Sequence, residues 1–367
     1  MYPQRLGAIM PQRVSLNVTD ARSGEAFIAS LLGKMVKFWK REKQENRRLV
    51  FVGKRDGAPW QHGFDLEDLL RASAEALGKG SLGTSYKTML EEMTVVVVKR
   101  LRNVAASREE FTACVEVVGG VEHLNLAPVR GYVYSKDECL LVGDYFPAGS
   151  LSDRLHGSRG TDDRTPMDWE ARICAALCAA RGVAHLHTVP GLAHGNVKSS
   201  NLLLRTDIDA AALTDYCLNQ LFAPAPASPG GYRAPELMDA RRPTFKSDVY
   251  SLGVLFLELL TGKFPDGNDA FDLPRWVMSV MKEEWVLEAL DAELLRRLAG
   301  NAEEGMLKLL LLAIKCVAPV PGARPDADDV VKGVEEIVEE QGSTATEKSQ
   351  GTHGASEEEE QSKGTTL

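Results

Sequence analysis

His194-Gly195-Asn196-Val197-Lys198-Ser199-Ser200-Asn201, with Asp215-Tyr216-Cys217 next downstream, is the stretch on which the reading of this chain turns. Toward the C-terminus the chain then carries Ala234-Pro235-Glu236, Asp248 and Arg324. Toward the N-terminus it carries Gly78-Lys79-Gly80-Ser81-Leu82-Gly83, the β-branched run Thr94 to Val98, and Lys99. A GxGxxG alone also opens dinucleotide-binding folds, where a helix follows it. Here Tyr86-Lys87 and a second strand follow, which places the glycines on a hairpin. Glycines let backbone N–H groups approach phosphate oxygens without Cβ obstruction, and Val96-Val97-Val98-Lys99 delivers a cation at a strand end near that loop. Loop and lysine together point to nucleotide phosphates. A structural hairpin with a surface lysine is the alternative that these two features leave open.

The segments around these motifs divide unevenly. Phe64 to Leu70 and Arg108 to Val118 predict helices, with short strands between and after them through Leu140-Leu141-Val142. After Pro147 the spacing of apolar positions turns helical, over Trp169 to His187, Asp248 to Leu260 and Glu304 to Val317. His185 and His187 read as packing groups at a helix end. A small strand-rich part followed by a larger helical part predicts two lobes, and 367 residues with 44% hydrophobic side chains suffice to bury both. The net charge of -9 argues against a nucleic-acid partner. Six cysteines with neither metal-site spacing nor disulfide-scaffold density point to a reducing compartment, with Cys174 and Cys178 as buried thiols in an alanine-rich helix. No stretch reaches the roughly 18 apolar residues of a membrane span; Lys34 and Lys37 interrupt the nearest candidate. Residues 34–55 carry nine basic groups against two acids, which suits an anionic membrane face or a solvated linker. From Gln341 onward, Gly, Ser, Thr and Glu dominate, and disorder is expected.

The ordered set resembles the protein-kinase signature. Its wording, Gly195 to Asn201 with Gly231-Tyr232-Arg233-Ala234-Pro235-Glu236, is similar to the cytoplasmic domain of plant leucine-rich-repeat receptor-like kinases, in the subgroup often called inactive. The match runs from about Phe64 to Val338. It implies an α+β, bilobal protein-kinase-like fold with a small β-rich N-lobe and a larger helical C-lobe. The expected division is a basic, partly disordered, juxtamembrane-like segment over 1–59, the N-lobe over 60–145, the C-lobe over 146–340, and a disordered acidic tail over 341–367. The resemblance also assigns roles. Gly78, Gly80 and Gly83 cover the phosphates of ATP, and Lys99 holds them while pairing with Glu116. Asn201 and Asp215 hold Mg2+ through oxygen, and Lys198 faces the γ-phosphate. Val97, Gly143 and Tyr145 line the adenine side. Glu236 and Arg324 form a structural ion pair, and Asp248 anchors the loop at His194 from below.

The departures from that family fall on the chemistry. Asn196 stands at the general-base position, and an amide cannot take a proton at neutral pH; general-base catalysis is worth about 10²–10⁴-fold. Gly195 replaces the arginine that reads activation-loop phosphorylation, Pro229 replaces a substrate-placing threonine, and Cys217 replaces a glycine. Val97 adds bulk where a small alanine is usual, and Ser85 replaces a valine, so weakened ATP affinity is expected. Gly143 aligns with a position commonly occupied by tyrosine, which opens a back pocket for N6-bulky ATP analogues or large hydrophobic inhibitors. The expected function is a pseudokinase that docks to an active receptor-like kinase or another signalling protein. A weakly active atypical Ser/Thr kinase and a nucleotide-independent scaffold are the alternatives. The expected location is cytoplasmic, peripheral at the plasma membrane if the basic segment binds it. Family relatives carry an extracellular repeat region and one membrane span, which residues 1–45 do not resemble; a cytoplasmic relative and a truncated gene remain the two explanations.

Overall fold

β-branched residues fit a pleated, packed surface better than a helix, and the run Val95–Leu101 becomes the middle of a sheet. The computed structural model describes residues 48–55, 58–59, 63–91, 94–135, 138–157, 166–206, 210–223, 231–240, 242–265, 271–282, 286–296 and 302–351. They belong to one unit that begins at Arg48. The first lobe contains β1 (Val50–Phe51), the small hairpin β2 (Lys54–Arg55) and β3 (Ala58–Pro59), helix α1 (Leu66–Arg71), β4 (Ser73–Lys79), β5 (Gly83–Met89), β6 (Val95–Leu101), helix α2 (Arg108–Gly119), β7 (Val129–Tyr134) and β8 (Cys139–Asp144). The sheet is antiparallel with strand order β1-β7-β8-β6-β5-β4. Helix α2 starts at a capping box, in which Ser107 and Glu110 each accept from the other's backbone N–H. It turns Phe111, Cys114, Val115 and Val118 inward, the i, i+3, i+4, i+7 pattern of a half-buried helix.

The second lobe is helical: α3 (Leu151–His156), α4 (Trp169–Thr188), the hairpin β9 (Leu202–Leu204) and β10 (Ala211–Leu213), then α5 (Leu237–Ala240), α6 (Phe245–Thr261), α7 (Leu273–Lys282), α8 (Val286–Ala289), α9 (Ala292–Arg296), α10 (Ala302–Cys316) and α11 (Ala327–Gly351). Its axis is α6, buried from Ser247 through Thr261 apart from half-exposed Ser251. Each leucine so covered contributes roughly 1.5–3 kcal/mol. Helix α6 ends at Gly262, whose φ of +62 is the left-handed cap that glycine adopts without strain. The α+β, two-lobed architecture is therefore present as the motifs imply.

Three details differ from expectation. β1 lies inside the segment assigned to the juxtamembrane region, pairing with β7, while Phe51 meets Phe64 edge-on at 5.4 Å; a two-residue strand is too short to show period-two alternation. Helix α11 continues to Gly351, into the stretch assigned to a disordered tail. Val330, Val334 and Ile337 anchor it against the core, and extending a formed helix costs far less than nucleating one. Cys178 is buried but Cys174 only half-buried, and all six cysteines are free thiols. Residues 1–47, with most of the basic stretch, and residues 352–367 lie outside the described residues. Among the described residues no helix is long and apolar enough to cross a membrane.

Candidate functional site: a cleft between sheet and helices

The glycine hairpin joins β4 to β5. Gly80 N–H donates to Gly83 O at 2.8 Å, closing the turn, and the β4–β5 register shifts between Ala76 and Gly78. Gly83 is sterically required: a Cβ there would lie 2.0 Å from Arg100 O. β6 sets Val97 opposite Gly143 of β8, and Lys99 opposite Ser85 of β5. Val97 and Lys99, two residues apart, share a strand face. Both line a cavity of about 340 Å³, together with Gly78, Gly80, Ser85, Gly143, Tyr145, Lys198, Asn201 and Asp215. Gly83, Glu116 and Asn196 are not among its lining residues.

The floor is organised by Asp248 of α6. Its carboxylate accepts from His194 N–H at 2.6 Å and Gly195 N–H at 2.8 Å, and it meets His187 Nε2 at 3.0 Å. His187 also stacks on Phe245 at 4.2 Å, and His185 on His123 at 4.4 Å, so both histidines pack as expected. His194 is fully buried, and burial pulls its pKa down to about 4 despite Asp248 and Asp215 nearby. Gly195 has φ +74, and a Cβ would fall 2.1 Å from Asn219 Nδ2 and 2.7 Å from Pro243. The arginine expected there in active relatives would need this corner rebuilt. Asn201 Nδ2 donates to Asn196 O at 2.9 Å. Nδ2 of Asn196 itself is buried with no hydrogen-bond partner among the described residues. Burial lowers the Lys198 pKa, with Asp215 opposing and Lys99 adding to the effect.

The expected Lys99–Glu116 pair is not formed. Lys99 Nζ pairs with Asp215 Oδ2 in a largely buried bridge, and Glu116 is exposed. The cause is the phase of Glu116 on α2, whose inward face holds Cys114 and no carboxylate. Cys114, about 200° round the helix from Glu116, faces the segment after Asp215, where its Sγ lies 3.8 Å from Cys217 O and accepts from Gln220 Nε2 at 3.1 Å. The same segment forms a short 3₁₀ turn, Leu218–Leu221. It is tied to the loop before α2 by Ala105 N–H to Leu221 O at 2.8 Å and by the Val104–Phe222 bridge. With Cys114 turned inward, Glu116 is turned outward. Cys217 adopts φ +61, the conformation a glycine would take without strain, and burial drives its thiol pKa to about 12.

Two architectural assignments hold as drawn. Arg324 clasps Glu236 bidentately at 2.7 and 2.8 Å, and Asp248 anchors the loop. The sequence reading missed Glu258 of α6, a fully buried carboxylate that accepts from Ser199 Oγ and Tyr232 OH and lies 2.8 Å from His156 Nε2. It stitches α3, the loop at Ser199 and the Tyr232 turn to the central helix. A lone acid within Leu255-Phe256-Leu257-Glu258-Leu259-Leu260 was the available signal. Pro229 lies outside the described residues.

A protein kinase domain model matches residues 72–333. The chain belongs to the protein kinase family. Within that family its relatives are receptor kinases. It is 48% identical over 300 residues to the Arabidopsis thaliana protein named probable inactive receptor kinase RLK902, across 79% of this chain and 45% of that one. The kinase domain thus spans about half the length of the curated relatives it matches. Among solved structures it resembles the pseudokinase domain of BIR2, described as an immune regulator of the RLK/Pelle family, with a TM-score of 0.68 and 28% identity over 85% of this chain and 94% of that chain. It resembles equally, at TM-score 0.68, the maize SIRK1 kinase domain bound to AMP-PNP, with 32% identity over 79% of this chain and 99% of that one. This kinase domain therefore sits among receptor-like kinases, several of them named inactive.

Proposed function

We infer that this kinase domain is a pseudokinase: it retains a weak site for ATP and Mg2+, transfers little or no phosphoryl group, and acts by docking to an active receptor-like kinase or another signalling protein. The observation that carries this is the pairing of Lys99 with Asp215 while Glu116 stands in solvent, above a loop whose base position holds Asn196. Phosphoryl transfer depends on positioned charge around the metal nucleotide, and here the strand lysine is committed to the metal-holding carboxylate.

The donor set nevertheless fits the missing groups. Asn201 spends its amide N–H₂ on Asn196 O, which leaves its carbonyl oxygen, with Asp215, as hard ligands that would hold Mg2+. Lys99 and Lys198 would face phosphate oxygens, and Gly78 and Gly80 would let backbone N–H groups approach them. When bound, Mg–ATP would supply the phosphoryl group. The chain's own residues would bind and orient it, and Asn196 could hydrogen-bond an acceptor hydroxyl without removing its proton. Binding has to separate Lys99 from Asp215, which lowers affinity, and Val97 adds bulk beside the base.

Thermal-shift titration with ATP, with and without Mg2+, alongside a radiolabelled phosphotransfer assay in Mg2+ and then Mn2+, tests the reading. A modest ATP-dependent stabilisation with no transfer above a Lys99→Met control is expected. Transfer at ordinary kinase speed would overturn it, and no response to any nucleotide would favour a nucleotide-independent scaffold.

A further inference from the structure

Helix α4 sets two thiols among small residues. Ala175, Ala176, Ala179 and Ala180 around them are buried, and Gly182 brings the helix so close to its neighbour that a Cβ there would lie 2.8 Å from Asn125 O. Cys174 and Cys178 stand four residues apart, on one helix face and one turn from each other. Cys174 is half-buried and Cys178 buried, so the pair runs from the surface inward.

The two sulfurs meet. Cys174 donates its thiol hydrogen to Cys178, and that bond does most to hold the Cys178 thiol below its ordinary pKa, against the opposing effect of burial. The Ala211 backbone, the Arg181 charge and the Asn125 amide act in the same direction. Arg181 is fixed by Glu335 of α11, which accepts from its Nε at 3.1 Å and its Nη2 at 2.7 Å. Asn125 is fixed by donating Nδ2 to Ala211 O at 3.0 Å. Elsewhere burial acts the other way: it raises the Cys114 thiol, pushes Cys139 up to about 11, and pushes Cys217 and Cys316 up to about 12. The thiolate is the nucleophile, so reactivity concentrates at Cys178, with a second thiol already in contact.

We propose that Cys174 and Cys178 form a redox-active dithiol, a modification site for hydroperoxides that closes to a disulfide within α4. It does not rest on the reading of the cleft. Cys178 Sγ, as thiolate, attacks one oxygen of hydrogen peroxide; the S–O bond forms, the O–O bond breaks, and the departing hydroxide leaves as water with the proton that Cys178 released. Cys174 Sγ then attacks the sulfenic sulfur, the S–S bond forms, and a second water leaves with the Cys174 proton. The two thiols lose two electrons and the peroxide takes them. Cβ atoms four apart on a helix are separated by about 5–6 Å, and a disulfide needs about 3.5–4.5 Å. Closure therefore draws one turn of α4 together and leaves a bond that cellular thiols reduce readily, which makes the mark reversible.

The test exposes the full, folded chain to hydrogen peroxide near neutral pH and maps each cysteine by mass spectrometry. A Cys174–Cys178 cross-link that dithiothreitol reverses is expected, formed roughly tenfold or more faster than oxidation of Cys114, Cys139, Cys217 or Cys316, where thiolate is scarce. Cys174→Ser should strand the sulfenic acid on Cys178, where dimedone traps it. Cys178→Ser should slow oxidation of Cys174 to the pace of the other cysteines. Phenylarsine oxide, which bridges two neighbouring thiols, should bind the native chain without any oxidation and fail to bind Cys174→Ser. That variant changes only a half-buried position and serves if Cys178→Ser does not fold. Even oxidation across the six cysteines, a cross-link that forms only in denaturant, or arsenical binding that survives Cys174→Ser overturns the proposal.

Discussion

Beneath the cleft, Asp248 holds the main chain at His194 and Gly195, Arg324 clasps Glu236, and Glu258 gathers Ser199, Tyr232 and His156. Above it, Lys99 sits on Asp215, Glu116 faces solvent, and Gly143 and Val97 reshape the base pocket. Asp248, Glu258 and Arg324, which organise the lower groups, are buried, and a buried charge or donor left without its partner costs several kcal/mol whether or not the protein turns over a substrate. Of the upper groups, Glu116 meets solvent, while Lys99 and Asp215 form a largely buried bridge lining the open cleft with Lys198 close by, so altering them costs the fold less. Architecture and chemistry are thus held by different energies, and only the first is needed for folding.

The contrast can be broken from below first. Arg324→Ala removes a guanidinium whose side chain is fully buried, and which also binds the carbonyls of Ala318 and Lys246. A loss of about 3–5 kcal/mol is expected in denaturant unfolding; a loss under about 1 kcal/mol would show that the lower half does not hold the lobe.

A second test uses acid. His194 has a folded pKa near 4, below the ordinary histidine value of about 6.5, because burial disfavours its charged form. The unfolded chain therefore binds the extra proton first as pH falls. Stability from this group is complete above about pH 6.5 and is lost progressively down to about pH 4, by about 3 kcal/mol. Unfolding midpoints measured across that range should fall in the native protein and flatten in His194→Gln.

Two smaller effects probe the upper half. Lys99→Met leaves Asp215 with Lys198 still nearby, so a loss of about 1–2 kcal/mol is expected in the same unfolding assay, well below that of Arg324→Ala. Val97→Ala should tighten ATP binding by at most about tenfold in calorimetry, since only two methyl groups leave the slot.

Much of this was readable from residues. The order Gly78 to Gly83, Lys99, Asn196, Asp215, Glu236, Asp248 and Arg324 carried the fold, because each residue type answers a local need for backbone approach, charge or ion pairing. The left-handed turn at Cys217 was also legible, as a position where glycine is usual. The state of Glu116 was not. Helical spacing says which residues share a face but not how the helix is rotated, and that was decided by Cys114 against Cys217 and Gln220. β1 was too short to leave a pattern, and α11 is helical where its composition is that of a loose tail.

The most direct test of the account is the initial rate of γ-phosphoryl transfer by the purified chain, measured beside Lys99→Met under saturating magnesium and ATP. The two rates should coincide, since without a base at position 196 transfer falls by about 10²–10⁴-fold and the strand lysine is already engaged elsewhere. A native rate typical of active kinases, about 1–100 s⁻¹, abolished by the methionine, would contradict it.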